Sequence, residues 1–129
     1  MKNFQRILLV AAVALAAVGS IASVASAAPN PISISQCVPG KPALMSKNVG
    51  PFHISWTNVS SHVAKEVIFA VSWQTYTRRA TDIGQQGFAP NQLIEHTYDI
   101  FSDVKYYAGT HATCKAVKVV FVNGTTWTP

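Results

Sequence analysis

The sequence predicts an all-β protein: an immunoglobulin-like Greek-key β-sandwich of about six to eight strands, preceded by a helical signal peptide. Short segments rich in β-branched and aromatic residues are separated by turn residues at intervals of about ten residues. Nothing after residue 27 has helical periodicity. Two cysteines lie far apart along the chain and suit one long-range disulfide. A small closed barrel is the alternative architecture.

The first 27 residues have the pattern of a secretory signal peptide. A short basic start is followed by an apolar run from Ile7 to Val18, and Ala25-Ser26-Ala27 supplies the small-x-small cleavage pattern. We therefore expect cleavage before Ala28 and a single domain over residues 28–129. That domain is predicted to be exported, to the periplasm or to the outside of the cell. An uncleaved anchor helix is the alternative interpretation.

The charge of the chain is mildly basic. Two of the ten basic residues, Lys2 and Arg6, precede the cleavage site, which reduces the formal net charge from +5 to +3. The remaining basic residues are scattered apart from Arg78-Arg79, so nucleic acid is not an expected partner. No later apolar run approaches the roughly 18 residues of a membrane span, so the cleaved protein is not expected to be transmembrane.

Alternation predicts the first strands. Ile32 to Cys37 alternates apolar and polar residues, and Val38 to Pro42 breaks the pattern. Phe52 to Asn58 alternates again. Glu66 to Tyr76 is the strongest strand, and its start is apolar on both faces, which favours a central position in a sheet.

The middle of the chain is less regular. Thr77 to Gly87 is interpreted as a short strand and turn, with Asp82 as a turn former that binds nearby backbone N–H groups. Leu93 to Phe101 alternates, with His96 and Tyr98 in phase with its aliphatic residues. This alternation predicts a further strand.

The last segment combines a bulge with a hairpin. Apolar parity changes within Thr113 to Val122, which predicts a bulge near Val117-Lys118. Asn123-Gly124 suits a two-residue hairpin turn. The return strand would place Trp127 opposite Val120, and we expect Trp127 to be a structural residue that seals one end of the core. An exposed Trp127 that serves as a ligand platform is the alternative.

Cys37 and Cys114 are predicted to form a structural disulfide, because an even pair in an exported chain favours one bridge. The alternatives are a redox pair or metal thiolates, but neither cysteine has a partner at Cys-x-x-Cys spacing. Chain-entropy estimates give a bridge closing a loop of about 78 residues roughly 4–5 kcal/mol of stabilisation.

Four motifs between Val67 and Trp127 carry a resemblance. They are Val67-Ile68-Phe69-x-Val71, Thr81-Asp82-x-Gly84, Phe88-x-Pro90-x-x-Leu93-Ile94-x-His96 and Cys114-x-Ala116-x-x-Val119-x-Phe121-x-Asn123-Gly124-x-x-Trp127. The stretch, about half of the chain, resembles an uncharacterised family of small exported bacterial proteins. The resemblance implies an exported β-sandwich and carries no activity.

The sequence offers little catalytic chemistry. Its histidines do not pair at the spacing of metal ligands on one strand or helix, and no His or Met follows Cys114 as in a blue-copper site. No Gly-x-Ser-x-Gly motif is present. We therefore expect no catalytic residues, no metal site and no cofactor.

Exposed tyrosine and arginine are typical of binding surfaces, and two groups suit such a role. Tyr76, Arg78 and Arg79 follow the strongest strand, and Tyr106 and Tyr107 lie in a later loop. Ordinary strand-end and loop positions are the alternative interpretation. The prediction is an exported, non-catalytic binding or surface-associated domain with a protein or glycan ligand. A small secreted enzyme or enzyme-inhibitor-like domain is the alternative.

Overall fold

The computed structural model describes residues 28–129, so the predicted signal peptide lies outside the described residues. These residues form seven strands and no helix. The strands are β1 (Ile32–Gly40), β2 (Gly50–Asn58), β3 (Ala64–Trp73), β4 (Tyr76–Phe88), β5 (Leu93–Tyr98), β6 (Ala112–Phe121) and β7 (Thr126–Trp127). Two antiparallel sheets result, ordered β1-β2-β5 and β4-β3-β6-β7. The all-β prediction is confirmed, and the two sheets are those of a β-sandwich.

The core lies between the sheets and is built from alternate residues of the strands. Trp56 of β2 meets Phe88 edge-on, with ring centroids 4.8 Å apart, and lies 5.7 Å from Phe69 of the other sheet. Trp73 packs edge-on against Phe101 at 5.4 Å. Such tilted and edge-to-face pairs are favoured over face-to-face stacks, and these rings span the gap between the sheets.

β3 is central in its sheet but ends earlier than the sequence indicates. The chain reverses at Gln74-Thr75, Trp73 pairs with Tyr76, and Tyr76 begins β4. Gln74 takes a positive φ of 54° in this turn. The predicted strand Glu66–Tyr76 was wrong at its end because no Gly, Asn or Asp marks the reversal, so the apolar alternation runs through it.

β4 is a long strand of 13 residues, not a short strand and turn. Asp82 lies in its middle, opposite Val67, and is 3% exposed. The interpretation of Asp82 as a turn former was therefore wrong. The glycines that suggested a turn instead form a bulge over residues 84–87, where Gly87 has a φ of 79°.

The bulge predicted in β6 is confirmed at Val117. Its neighbours Lys118 and Ala116 pair with consecutive residues of β3, which leaves Val117 without a partner. The hairpin differs in register, because Phe121 N donates to Thr125 O at 2.9 Å and the loop therefore has three residues. Trp127 consequently lies opposite Val119, not Val120.

The one-residue change in register turns Trp127 toward the core, because neighbouring strand residues face opposite ways. Trp127 is 8% exposed, and its Nε1 donates to Ala28 O at 3.2 Å. Its predicted structural role is confirmed. Gly124, at φ 87°, is the hairpin position that needs left-handed backbone.

The predicted disulfide is confirmed. Cys37 of β1 and Cys114 of β6 are bonded, with Cα atoms 5.9 Å apart. The bond joins an edge strand of one sheet to the other sheet across the core. Among residues 28–129, no helix has the length and apolar character that a membrane crossing requires.

Candidate binding surface

Three connections meet at one end of the sandwich, and we call this surface the loop end. They are residues 41–49 between β1 and β2, residues 74–75 between β3 and β4, and residues 99–111 between β5 and β6. Val49 N donates to Val104 O at 2.9 Å, and Tyr106 N donates to Lys47 O at 3.0 Å. Backbone hydrogen bonds thus hold the two long connections together.

Arg78 ties β4 to the long connection that follows β5. Its guanidinium donates to Ile100 O and to both carboxylate oxygens of Asp103. It also lies 5.3 Å from the ring centroid of Tyr76 and 5.2 Å from that of Phe101. The hydrogen bond to Asp103 raises the pKa of Arg78, and the same bond lowers the pKa of Asp103. The guanidinium of Arg78 therefore already has hydrogen-bond partners within the chain.

The tyrosines predicted for binding differ in exposure. Tyr106 is half-buried, with its ring centroid 6.5 Å from that of Trp73. Tyr107 is 53% exposed, and the Lys105 ammonium lies 5.3 Å from its ring centroid. Tyr76 is 43% exposed. Tyr76 and Tyr107 thus present aromatic surface to solvent, whereas Tyr106 is largely a packing residue.

Arg79 is separated from the other predicted residues. It follows Arg78 directly, but successive strand residues face opposite ways. Arg79 pairs with Ala70 of β3, which pairs with Lys115 of β6 on the outer face of the four-stranded sheet. The structure therefore brings four of the five predicted residues to the loop end and places Arg79 on a sheet face.

The loop end also carries an apolar pair that sequence reasoning missed. Leu44 and Met45 occupy the central positions of a turn closed by Ser46 N donating to Ala43 O at 2.9 Å. Their exposed fractions are 104% and 99%. Such positions usually hold Gly, Pro, Asn, Asp or Ser. The sequence did contain a sign of this exposed pair, because two large apolar residues follow Pro42 and Ala43 in a segment that otherwise breaks the strand pattern.

A buried carboxylate connects the two sheets at the β4 and β5 edges. Asp82 Oδ2 accepts hydrogen bonds from Trp56 Nε1 at 3.2 Å and Tyr98 OH at 2.9 Å, and it lies 2.7 Å from His96 Nδ1. Burial raises the pKa of Tyr98, and the hydrogen bond to Asp82 adds to this effect. Sequence reasoning missed this cluster, although His96 in phase with core residues was a sign of it.

The outer face of β1-β2-β5 has a shallow polar depression of about 360 Å³. Its lining residues are Gln36, His53, Ser55, Glu95, His96 and Thr97. Ser55 Oγ donates to Gln36 Oε1 at 3.0 Å. Within residues 28–129, no three His, Cys, Asp or Glu side chains are grouped to hold a metal ion.

Comparison with protein-family models, curated proteins and solved structures finds no match for this chain. The resemblance to small exported bacterial proteins therefore stays a prediction. The loop end, the Asp82 cluster and the polar depression have to be compared on their own geometry. Of these three, the loop end exposes the largest apolar side chains.

Proposed function

We propose that this chain is an exported, non-catalytic binding domain of immunoglobulin-like Greek-key topology, and that the loop end is its binding surface. The distribution of strands supports the topology. The first, second and fifth strands form one sheet, and the third, sixth and seventh belong to the other, as in immunoglobulin domains. β4 extends the second sheet here, whereas in constant-type domains the fourth strand joins the first.

Export is supported by the signal-like start of the chain and by the disulfide. Bonds such as Cys37–Cys114 persist in oxidising compartments and are rare in the cytosol. Mass spectrometry of the exported protein is expected to find Ala28 as the first residue. An intact Met1 form retained in the membrane would contradict this part of the proposal.

The display of Leu44 and Met45 carries the binding proposal. Exposing two adjacent large apolar side chains to water is unfavourable, and a turn apex gives them no internal partner. Their loop is held to residues 99–111 by backbone hydrogen bonds, so the pair is presented from a fixed base. Loops on a rigid scaffold are frequent positions for recognition residues.

Site-specific photo-crosslinking tests the binding role. A photoreactive benzoylphenylalanine is incorporated at Met45 in cells that export the protein, and excess unlabelled protein serves as competitor. Val122 is the matched control, since it is 60% exposed in the β6–β7 turn at the opposite end. We expect a competed adduct from Met45 and none from Val122. Equal adducts from both positions, or no adduct between Met45 and any protein or lipid, would contradict the proposal.

A small secreted enzyme is the second candidate, and one observation favours it. The buried carboxylate of Asp82 lies 2.7 Å from Nδ1 of His96, a residue that lines the polar depression, and such a contact can orient a histidine as a general base. However, the Ser55 hydroxyl in the same depression donates its hydrogen bond to Gln36 Oε1 and not to the histidine. Hydrolysis of a panel of chromogenic esters and glycosides that is abolished by His96→Gln would favour the enzyme over the binding domain.

A further inference from the structure

We propose that the loop end binds an anionic lipid surface, with Leu44 and Met45 inserted among the acyl chains and the surrounding lysines at the head groups. This inference rests on the proposed function, because it names the partner of the same surface. The observations that carry it are an apolar apex, a positive collar around that apex and a fixed base beneath it.

The apolar apex projects from the domain. Leu44 and Met45 are the two central residues of their turn and are as exposed as side chains in an extended chain. Asn48 N donates to Ser46 Oγ at 3.2 Å, which orders the return of the loop. The geometry allows both side chains to enter a soft apolar phase without rearrangement of the sandwich.

Lysines form the collar. Lys41 and Lys47 flank the apex along the chain, and the bridge between Asn48 and Lys105 places a third lysine beside them. All three are exposed. Of the two acids at this end, Asp103 is engaged by Arg78 and Asp99 is exposed, so the three lysines outnumber the one carboxylate that is not paired with Arg78. Lysines have long apolar stems that lie along acyl chains while the ammonium stays at the head groups, and each is attracted by anionic lipids.

The composition favours a lipid surface over a protein partner. Protein interfaces are depleted in lysine, and leucine is under-represented among their energetically dominant residues, whereas the loop end surrounds an exposed leucine with lysines. Its arginine is used within the chain. Tyr107, exposed beside Lys105, is of the kind enriched at membrane–water boundaries.

Vesicle co-sedimentation tests the proposal. The processed protein is mixed with phosphatidylcholine vesicles containing about 30% phosphatidylglycerol, or with phosphatidylcholine alone. We expect binding to the anionic vesicles that weakens as salt is raised. Leu44→Ser with Met45→Ser should weaken this binding about tenfold or more. Lys47→Gln with Lys105→Gln should also weaken it about tenfold or more.

Val122→Ser is the control variant, because Val122 is an exposed apolar residue at a turn position far from the collar. It should bind vesicles as the unmodified protein does. Circular dichroism of every variant checks that the fold is retained. A Val122→Ser protein that loses binding to the same degree as the apex variant would contradict the assignment to the loop end.

A fluorescent variant distinguishes insertion from surface attraction. The native tryptophans Trp56, Trp73 and Trp127 are all buried. Leu44→Trp keeps the apex apolar and adds the exposed indole whose emission can change. We expect a blue shift with anionic vesicles and quenching by brominated acyl chains. Binding without shift or quenching would overturn insertion.

The outcomes separate this inference from the proposed function. If anionic vesicles sediment no more protein than neutral ones, the lipid proposal is wrong, while a competed protein adduct from Met45 leaves the binding role standing. If the lysine variant loses binding and the apex variant does not, the insertion is wrong. If Met45 gives no adduct and no vesicle binds, both proposals are overturned.

Discussion

The two long sides of the sandwich are closed by different chemistry. On one side Cys37 and Cys114 join the sheets covalently, and farther along the same side the Trp127 indole donates to Ala28 O. On the other side the join is the carboxylate of Asp82, which accepts hydrogen bonds from two of the three strands of the facing sheet, from Trp56 of β2 and Tyr98 of β5. We refer to these as the disulfide side and the carboxylate side.

The two sides therefore stabilise the fold in different ways, one through the unfolded state of the chain and the other through the native state. The disulfide acts mainly by restricting the unfolded chain, so its effect depends on loop length. The carboxylate acts in the native state, because removing it would leave buried donors without acceptors. Reductant should therefore weaken one side, and substitution or alkaline pH should weaken the other.

Loss of the disulfide is the largest expected effect. With 77 residues of separation, Cys37→Ser with Cys114→Ser should lower the free energy of unfolding. The chain-entropy estimate for such a loop is about 4–5 kcal/mol. Urea unfolding with and without dithiothreitol measures it. The Ser variant, which has no bond to reduce, should not respond to reductant. An unchanged midpoint in protein shown by mass to be reduced would contradict the disulfide side's role.

Removal of the buried carboxylate comes next. Asp82→Ala leaves the fully buried indole N–H of Trp56 and the Tyr98 hydroxyl without their acceptor. We expect a loss of about 2–3 kcal/mol in the free energy of unfolding. Asp82→Asn should lose less, because its amide oxygen still accepts a hydrogen bond.

Glu95→Gln is the control for the carboxylate, since Glu95 is an exposed acid on neighbouring β5. Its unfolding should change little. Equal losses for Asp82→Ala and Glu95→Gln would show that the carboxylate side owes nothing to the buried cluster. The comparison of the two sides would then fail.

Much of the disulfide side could be predicted from the sequence. The signal-like start and the even cysteine count were enough to predict the Cys37–Cys114 bond. The change in apolar alternation along the last segment was enough to predict the bulge at Val117. The register of Trp127 could not be predicted, because Asn123-Gly124 is compatible with hairpin loops of two or three residues. A single positive φ, at Gly124, accompanies the longer loop.

The carboxylate side and the loop end were harder to predict. Asp82 and Tyr98 lie on strands of different sheets, and only the fold brings them together. Leu44 belongs to a segment without periodicity, so no pattern distinguished an exposed apolar residue from a buried one. Local alternation therefore located strands, but it missed the tight turn at Gln74-Thr75 and the contacts between distant elements.

Alkaline pH should weaken the carboxylate side alone. Burial and the hydrogen bond to Asp82 hold the pKa of Tyr98 above its usual value near 10. The stabilisation is complete below about pH 10 and is lost as pH rises toward the folded-state pKa, because the unfolded tyrosine ionises first. Because the ring of Tyr98 is half-exposed, solvent screens the effect. At about pH 11, one unit above the usual tyrosine pKa, we expect the free energy of unfolding to fall by about 1 kcal/mol or less. Urea unfolding between neutral pH and about pH 11 measures it. Tyr98→Phe should show a shallower decline, and parallel declines would contradict the assignment.

The smallest expected effect concerns Arg78 and Asp103, which extend the carboxylate side toward the loop end. Asp103→Asn should lower Tm only slightly, because Asp103 is exposed and salt screens the pair. The hydrogen bond from Arg78 lowers the pKa of Asp103, so its stabilisation is present above about pH 4 and is lost as pH falls through the folded-state pKa. The Tm difference between Asp103→Asn and the unmodified protein should therefore disappear in acid and shrink at high salt.

Arg78→Lys should lower Tm more, since it also loses the bond to Ile100 O and the contact with Phe101. An effect of Arg78→Lys no larger than that of Asp103→Asn would show that the bond to Ile100 O and the contact with Phe101 add nothing to holding β4 to residues 99–111.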